Sequence, residues 1–389
     1  PFRLCASNVF DAKIHGAKVL VYSEVIEFIK EQDTIKGVKV LDHHTGIVTD
    51  YHAPVTVNAG GIWGHHIAQM AGANISMFPA KGALLIFAHR VNSVVINRCR
   101  KPANADILVP GDTVCVIGTT STRVPYEECD HLKVTPDEVD LLLTEGAKLA
   151  PCLAETRVLR AYAGVRPLVS ADNDPSGRNI SRGIVCLDHE SRDGIKGFIS
   201  ITGGKLMTYR LMGEMAADAV CKKLGRDAKC VTADTPLPGS EPGGIEEISK
   251  KIWEVPTMVQ KASVGRFGTQ AANLDFDGDV KGSLVCECEE VSVSEVDSAI
   301  ENLEVNNLVD LRRRTRFGMG TCQGELCACR AAGRLAKARK CTSKARADLK
   351  DFMNERWKGM YPVAWGETLR ESAYTQWVYS EVMGLGEEI

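Results

Sequence analysis

The sequence lacks any long apolar run, and neither sign of charge dominates it. No stretch approaches the ~20 consecutive apolar residues that a membrane-spanning helix needs, and no charged-then-apolar leader opens the chain. Lys and Arg together number 47 and Asp and Glu 50, which gives a net charge of −3. These absences argue against a membrane-embedded protein and against nucleic acid or an anionic membrane as the main partner. We expect a cytoplasmic protein with no nucleic-acid partner.

The sequence also lacks the cysteine distribution of a disulfide framework. Five of its 14 cysteines crowd the two short segments 286–288 and 322–329, and the others are scattered. This distribution favours a reducing compartment and one metal site. With 389 residues, the chain is long enough for two or three domains.

Short β-branched segments dominate the first 230 residues. They predict two sheets, one with strands at 19–22, 25–29, 38–41 and 47–49 and another with strands at 83–88, 94–96 and 114–117. The segment Thr135-Pro136-Asp137-Glu138 is a capping box with proline at the first helical position, so it predicts a helix. A cluster of proline and glycine at 236–244 marks the main domain boundary.

The fold class that these patterns predict is α/β with mixed α+β character. We divide the chain into a domain at 1–230, a linking helical region at 231–283, a small helical cysteine-rich domain at 284–335 and a helical tail at 336–389.

Two strand–glycine–helix junctions stand out. One follows the β-branched run 197–202 with Gly203, Gly204 and the basic Lys205, and the other follows 55–58 with Ala59, Gly60 and Gly61. A helix N-terminus behind glycines offers free backbone N–H groups and close backbone approach to an anionic or electron-rich ligand. The alternative is a turn that only connects two elements. The helix after Lys205 repeats apolar residues at three and four, so we expect it to bury one face.

The clustered cysteines have the spacing of a metal site. Cys286 and Cys288 are separated by one residue, and Cys322 and Cys327 by four. Two close thiolate pairs converging from two loops suit either a tetrahedral zinc or a 2Fe–2S cluster, with two short helices between them. Cys329 is a further candidate ligand. The alternative is a set of reduced, buried cysteines without a special role.

A basic setting favours iron over zinc. Between residues 309 and 350, twelve Lys or Arg stand against three Asp or Glu. These cations offset the negative charge of a thiolate-ligated cluster. They are equally compatible with a docking face or a solvated helix surface. Aromatic residues are not interleaved with them, which disfavours a nucleic-acid module.

Four motifs carry a resemblance to a known family. They are 57–63 (VNAGGIW), 164–168 (GVRPL), 203–210 (GGKLMTYR) and 320–329 (GTCQGELCAC). In this order they resemble the FAD-dependent glycerol-3-phosphate dehydrogenases over essentially the whole chain. The last motif resembles the anaerobic branch of that family, and its domain is similar to the 2Fe–2S domain of bacterioferritin-associated ferredoxin. That domain type usually has two residues between its last two cysteines, whereas four separate Cys322 from Cys327.

The resemblance implies an activity and its partners. The family oxidises sn-glycerol 3-phosphate to dihydroxyacetone phosphate, with hydride passing to FAD and a proton leaving the substrate hydroxyl. Electrons then pass through an iron–sulfur centre and partner subunits, a catalytic partner subunit and a membrane-anchoring iron–sulfur subunit, to quinone in anaerobic respiration. The resemblance therefore implies a peripheral protein on the inner face of the cell inner membrane.

The resemblance also implies site residues. We expect Arg166, Arg182 and Lys205 to contact the substrate phosphate, because cations and above all the arginine fork suit a phosphate dianion. The residues expected to line the flavin are Ala59, Gly60, Gly61, Trp63, Gly203, Gly204, Leu206 and Thr208. Metal ligation falls to Cys286, Cys288, Cys322 and Cys327. The general base stays unassigned, with His65, His66 and His89 as candidates by position.

One family feature is missing from the printed sequence. The family opens with a Gly-x-Gly-x-x-Gly turn and an acidic residue that hold the FAD pyrophosphate and ribose. No such fingerprint occurs between Pro1 and Ile389. The resemblance therefore implies that the chain is truncated at its N-terminus.

Two rival functions remain open on the sequence alone. One is a related flavoenzyme that oxidises an unphosphorylated hydroxy or amino acid, and its pocket needs fewer cations. The other is a non-catalytic electron-transfer or zinc-stabilised interaction protein.

Overall fold

A computed structural model describes residues 2–169, 183–251, 255–277 and 280–386. Its strands in chain order are β1 (Ser23–Glu31), β2 (Thr34–Asp42), β3 (Val48–His52), β4 (Thr56–Asn58), β5 (Met77–Phe87), β6 (Ile96–Asn97), β7 (Ile107–Pro110), β8 (Cys115–Gly118), β9 (Thr122–Arg123), β10 (Val158–Val169), β11 (Ile184–Asp188), β12 (Phe198–Gly203), β13 (Leu284–Cys286) and β14 (Val291–Ser292).

Its α-helices in chain order are α1 (Phe2–Ile14), α2 (Gly64–Ala71), α3 (Pro136–Leu149), α4 (His189–Asp193), α5 (Tyr209–Lys223), α6 (Gly244–Ile248), α7 (Thr257–Phe267), α8 (Val293–Asn302), α9 (Leu308–Thr315), α10 (Ala328–Arg339), α11 (Ala345–Met360) and α12 (Gly366–Trp377). Two short 3₁₀ turns, Gly61–Trp63 and Leu206–Thr208, lead into α2 and α5, and a π-helical turn, Val378–Val382, continues α12.

The mixed fold predicted from the sequence is confirmed. An antiparallel sheet has the order β10-β5-β8-β7-β6, with β9 paired to β5. A second antiparallel sheet contains β1, β2 and β3, and a third has the order β11-β12-β4. Strand β4 runs parallel to β12, whereas β11 runs antiparallel to it.

Two strand predictions fall at the wrong residues. Residues 19–22 form no strand, and β1 begins at Ser23. Tyr22 has a positive φ of 52° and donates from its hydroxyl to Asp310 Oδ2 at 2.9 Å, so a tertiary contact outweighs the β-branched composition of this stretch. Of the predicted strand at 94–96 only Ile96 pairs, since β6 begins at Ile96. Val94 and Val95 precede this strand and are exposed.

Helix α3 forms where the sequence predicts it. Thr135 accepts from the backbone N–H of Glu138, and the Glu138 side chain accepts from the backbone N–H of Thr135. These reciprocal bonds satisfy two orphan donors, and Pro136 has no N–H to satisfy. Val139 and Leu142 then face the core of the large antiparallel sheet.

Helix α5 does not bury the face that its pattern predicts. Every residue in it is at least partly exposed, and Leu211 is 43% exposed. The helix packs on β11 and β12 with one side only. An apolar period of three and four fixes a stripe along a helix but not what covers it, so full burial of this stripe was a wrong prediction.

The cysteine-rich domain has a core of its own. Helices α8 and α9, the two short helices predicted between the cysteine pairs, and α10 enclose Val296, Leu311, Phe317 and Leu335. Helix α11 joins this core to the large sheet, because its Phe352 packs on Phe317 while its other side contacts β10.

The core position of α3 gives a stability prediction. Leu142 is fully buried, whereas Leu141, one residue before it, is 38% exposed. We expect Leu142→Ala to lower the free energy of unfolding by about 2–5 kcal/mol, because the lost side chain leaves a cavity. Leu141→Ala, the matched control, should change it by less than about 1 kcal/mol. Urea unfolding followed by circular dichroism measures both; equal losses would show that α3 does not pack as described.

Candidate functional site

Both glycine turns lie at one edge of one sheet. Strands β4 and β12 are parallel neighbours, with Val57 opposite Ile199 and Asn58 opposite Ser200. Each strand ends at a glycine turn, and each turn leads into a helix. In α/β sheets, ligands bind in the crevice beyond the carboxyl ends of parallel strands. The structure therefore brings together the two segments expected to line the flavin.

Asn58 holds the first turn in place. This residue is 4% exposed, and its Nδ2 donates to the Gly64 carbonyl at 2.9 Å and to Ser200 Oγ at 3.1 Å. Its Oδ1 accepts from the backbone N–H of Gly60 at 3.1 Å. One buried amide thus fixes the turn and ties β4 to β12.

His189 completes this buried network. Its ring is fully buried, stacks on Phe198 at 4.6 Å and has Nδ1 2.6 Å from Asp193 Oδ2. With the proton on Nδ1 facing that carboxylate, Nε2 accepts from the Ser200 hydroxyl at 2.8 Å. The sequence reasoning missed Asn58, Ser200 and His189. The only available signal was that Asn58 and Ser200 are polar residues inside otherwise apolar strands.

The second turn requires its glycines. Gly203 and Gly204 have φ values of +75° and +66°, where other residues are strained. A Cβ on Gly203 would lie 2.4 Å from the Gly183 carbonyl oxygen. The turn is closed by Thr208, whose Oγ1 accepts from the backbone N–H of Lys205 at 2.9 Å.

The surface of these turns is open. Gly61 has φ +58°, and no heavy atom of the described residues lies within 4 Å of the position a Cβ would take. Trp63, Leu206 and Met207 are 47%, 58% and 82% exposed. An apolar, Cβ-free surface beside helix N-termini fits a flavin ring and its phosphates. Ala59 is also exposed and immediately precedes Gly60.

Arg166 lies across β5 in the large sheet. Its Nη2 donates to Thr119 Oγ1 at 2.5 Å and to the Thr120 carbonyl at 3.3 Å. Gly82 makes room for the guanidinium, because a Cβ there would lie 2.5 Å from Nη2. Strand β10, which carries Arg166, contacts both β12 and the 3₁₀ turn Gly61–Trp63. The arginine is therefore oriented by hydroxyls and carbonyls on a strand next to both glycine turns.

The other predicted phosphate ligands differ in what the structure shows. Lys205 is exposed and follows directly on Gly204, at the edge where the glycine turns meet. Arg182 lies outside the described residues. Lys81 on β5, which is not a predicted ligand, is only 7% exposed and forms an ion pair with Glu138 at 2.7 Å.

The histidine candidates are not brought together as a set. The His65 ring stacks on Tyr126 at 5.0 Å, and its Nδ1 lies 2.8 Å from the Ile75 carbonyl oxygen. His66 makes an edge contact with the same tyrosine, and His89 is exposed. The general base therefore remains unassigned.

The four predicted metal ligands lie near one another. Cys286 and Cys327 are buried in the core of the cysteine-rich domain, Cys288 packs against that core, and the Cys322 thiol interacts with those of Cys288 and Cys327. Cys329, on the first turn of α10, is exposed. Two loops 33 residues apart in sequence thus bring four cysteines together, and their role as metal ligands stays a prediction.

The environment lowers the pKa of two of the four cysteines and raises that of the other two. Hydrogen bonds from Cys288 and Cys327, together with the backbone N–H groups of Leu326 and Gly324, lower the pKa of Cys322 to about 2. The contact with Cys327, followed by the backbone N–H groups of Gly318 and Glu289, lowers the pKa of Cys286. Donation to these sulfurs raises the pKa values of Cys288 and Cys327. Backbone N–H donors to sulfur are also the contacts that tune iron–sulfur clusters.

A buried carboxylate and an arginine support this loop. Glu289 is 3% exposed, accepts from Arg316 Nε at 2.7 Å and from Thr113 Oγ1 at 3.3 Å. Burial raises the pKa of Glu289, and the neighbouring Arg316 opposes that rise. Gly320 packs against Cys288 and Glu289, since a Cβ there would lie 2.5 Å from Cys288 Cβ and 3.1 Å from Glu289 Oε1. Cβ-free backbone therefore lets the two cysteine loops approach.

The thiol geometry alone favours neither zinc nor iron. In the described ranges, no group of three or more His, Cys, Asp and Glu side chains is placed to hold a metal ion. A structural zinc needs four ligands around one point, whereas a 2Fe–2S cluster distributes four cysteines over two irons.

Two family models match the chain. Residues 1–210 match the FAD-dependent oxidoreductase family, and residues 284–335 match the BFD-like [2Fe–2S] binding domain. The second match supports iron–sulfur rather than zinc chemistry at the four converging cysteines.

Similar curated proteins share one description. The chain is 57% identical over 388 residues to the A subunit of anaerobic glycerol-3-phosphate dehydrogenase from Haemophilus influenzae, covering 100% of this chain and 69% of that protein. It is 58% identical over 389 residues to the protein of the same name from Escherichia coli, covering 100% and 72%. Identity to the A1 subunit of the Haloferax volcanii enzyme is 37% over 402 residues, covering 100% and 67%.

A solved structure shares the fold. The glycerol-3-phosphate dehydrogenase of Bacillus halodurans, determined with FAD, superposes with a TM-score of 0.72 at 22% identity. The superposition covers 94% of this chain and 74% of that one.

The contacts of the Cys322 thiol predict which cysteines hold iron. We expect Cys322→Ser to lower the bound iron about tenfold or more, because this residue contacts two of the other three thiols. Cys329→Ser is the matched control and should keep the iron and the visible absorption. Iron analysis and absorption spectra of the purified proteins measure both. Iron lost from Cys329→Ser but kept by Cys322→Ser would reject the ligand set.

Proposed function

The chain belongs to the FAD-dependent oxidoreductase family and, within it, to the A subunits of anaerobic glycerol-3-phosphate dehydrogenase, and from this premise we propose how its residues act. The reaction is the oxidation of sn-glycerol 3-phosphate to dihydroxyacetone phosphate. Electrons leave through the cysteine-rich domain to partner subunits and then to quinone.

One observation supports this proposal most strongly. A single chain places two glycine turns at one sheet edge and joins them to a domain in which four cysteines converge. The first site suits a flavin and the second a one-electron carrier. This combination of sites connects a two-electron donor to one-electron acceptors. A flavin oxidase without electron-transfer partners needs no second redox centre.

The flavin site is formed by the chain's own backbone. Gly60, Gly61, Gly203 and Gly204 present Cβ-free turns, and the 3₁₀ turn of Leu206 and Thr208 leads into α5. When bound, FAD supplies the acceptor for the hydride that leaves C2 of the substrate. The buried Asn58–Ser200–His189 network keeps both turns in register, so the acceptor position is set before substrate arrives.

Substrate binding falls to cations near these turns. A phosphate dianion binds best to charge-assisted donors. Gly82 leaves room for the Arg166 guanidinium, and the hydrogen bond to Thr119 orients it. Lys205 adds a second positive charge at the sheet edge, and Arg182 is the third ligand that the family motif implies. The proton of the substrate hydroxyl passes to a base that we leave unassigned.

The electron route continues through partners that dock on this chain. The relatives are named as A subunits, which implies further subunits of the same enzyme. We place the chain at the inner face of the cell inner membrane through a membrane-anchoring iron–sulfur subunit. No helix among the described residues is long and apolar enough to cross a bilayer.

An exposed aromatic surface is available for such a partner. Leu326, which immediately precedes Cys327 in the cysteine loop, is 61% exposed. The Tyr379 hydroxyl donates to the Glu325 carbonyl, so the end of the tail lies beside this loop. Aromatic residues are enriched at interfaces. The tail aromatics that are 45% to 68% exposed are Trp357, Tyr361, Trp365, Tyr374 and Trp377.

Substitution of Arg166 tests the substrate assignment. In the FAD-loaded enzyme, we expect Arg166→Ala to raise KM for sn-glycerol 3-phosphate about 10–100-fold, since a charge-assisted bond to phosphate is lost. Arg90→Ala, which removes an exposed arginine of the same region, is the control and should leave KM unchanged. Dye reduction under anaerobic conditions measures the rates. A lower melting temperature with normal KM would instead show a structural arginine.

The same assay separates the rival substrates. The wild-type enzyme should reduce the dye with sn-glycerol 3-phosphate and not with glycerol, lactate or amino acids. Activity with an unphosphorylated hydroxy or amino acid, unaffected by Arg166→Ala, would assign a different flavoenzyme reaction to the same site.

A further inference from the structure

A cleft of about 400 Å³ lies away from the glycine turns and from Arg166, and one of its lining residues, Arg316, pairs with Glu289 beside the cysteine site. It is lined by α1, by Pro238, by the end of α7 with the turn that follows it, by the end of α8, and by the end of α9 with the turn after it, which includes Met319. None of its lining residues belongs to the glycine turns or to the surroundings of Arg166. A volume of this size matches small-molecule sites rather than macromolecular grooves.

The cleft is strongly cationic. Its described lining contains no carboxylate, and it contains five arginines: Arg3, Arg266, Arg313, Arg314 and Arg316. Guanidinium groups repel one another at this density unless anions compensate them.

Only two of the five are neutralised by the protein. Arg266 pairs with Glu295 at 2.7 Å, and Arg316 pairs with Glu289 at 2.7 Å. The other three have no carboxylate partner within 4.0 Å among the residues that the structure describes. Arg3 donates to the Gly265 carbonyl at 2.9 Å, Arg314 donates to the Leu303 carbonyl at 3.1 Å, and Arg313 lies 6.0 Å from the Phe2 ring centroid.

The Arg3 guanidinium is affected by the neighbouring charges. Partial burial and, second, repulsion by Arg266 lower its pKa to about 10, and attraction to Glu295 opposes this shift. The group still carries its charge at neutral pH. A bound anion would relieve the remaining repulsion, since among the described residues no carboxylate forms an ion pair with Arg3.

The rest of the lining is apolar and aromatic. Phe2, Phe10, Phe267 and Met319 contribute to it, and Arg3 lies 5.9 Å from the Phe267 ring centroid. Arginines that lie against ring faces keep their N–H groups directed to the sides. The cleft therefore offers an apolar floor for a ligand body and charged donors for a head group.

We propose that this cleft binds a small organic anion with an aromatic or aliphatic body and a terminal phosphate or carboxylate. This cleft is separate from the site proposed to bind sn-glycerol 3-phosphate, the substrate of the oxidation. Arg313 and Arg314 contact the head group, and the phenylalanine rings contact the body. The cleft also reaches the cysteine loop, because Arg316 pairs with Glu289, the residue that follows Cys288.

Calorimetry with three probes tests the chemistry. Phenyl phosphate carries both features, inorganic phosphate only the charge, and phenol only the ring. We expect the purified protein with its cofactors to bind one phenyl phosphate at least tenfold more tightly than either of the other probes, because burial of a ring and a charge-assisted contact each strengthen binding by about that factor or more. Absence of phenyl phosphate binding, or equal affinity for inorganic phosphate, would overturn the proposal.

Variants place the ligand. Arg313→Ala should weaken phenyl phosphate binding about tenfold or more, since one charge-assisted contact is lost. Arg3→Ala is a second variant on the opposite wall with the same expected direction. Arg370→Ala removes a tail arginine that is 76% exposed and should have no effect. Binding that survives Arg313→Ala and Arg3→Ala but is lost in Arg166→Ala would place the probe in the substrate site and reject the cleft.

Discussion

The buried contact between Arg160 and Glu355 holds the two halves of the protein together. Arg160 on β10 is 6% exposed, and its Nη2 lies 3.2 Å from Glu355 Oε1 and 3.1 Å from the Glu355 carbonyl on α11. Gly359 is required beside it, since a Cβ there would lie 2.4 Å from Arg160 Nε. The Glu355 side chain is 34% exposed, but its removal would leave the buried Arg160 guanidinium without a carboxylate partner, which is costly. This contact therefore fixes the cysteine-rich domain against the sheet that carries Arg166.

A second contact reinforces the same interface from the other side. Arg316 lies between Glu289 at 2.7 Å and Asp112 at 3.1 Å, and Thr113 donates to Glu289. Asp112 and Thr113 belong to the large sheet region, whereas Glu289 follows the first cysteine pair. The cysteine loop and the large sheet are thus joined by side-chain contacts at two places. Under the proposed function, the spacing between the two centres is therefore set by the fold of one chain.

Local signals predicted local features of this molecule. The capping box of α3 is formed by residues three apart, so the sequence alone was sufficient to predict that helix. The cysteine spacing indicates four thiols that lie near one another in the structure, and their role as metal ligands stays a prediction. The prediction that α5 buries one face was wrong, because burial depends on what the rest of the chain brings against a helix. The Asn58–Ser200 bond joins residues 142 apart, and the one local signal for it is that both are polar residues in apolar strands. The roles of Arg166 and Lys205 stay predictions.

We infer that electrons from the substrate reach the cysteine site within this chain. Anaerobic addition of sn-glycerol 3-phosphate to the purified, FAD-loaded and iron-loaded protein, without any partner protein, tests it most directly. Absorption spectra report the flavin, and electron paramagnetic resonance reports the cluster. We expect the flavin and the cluster to become reduced in the same preparation. A flavin that bleaches while the cluster stays oxidised, or a flavin that does not respond to this substrate, would contradict it.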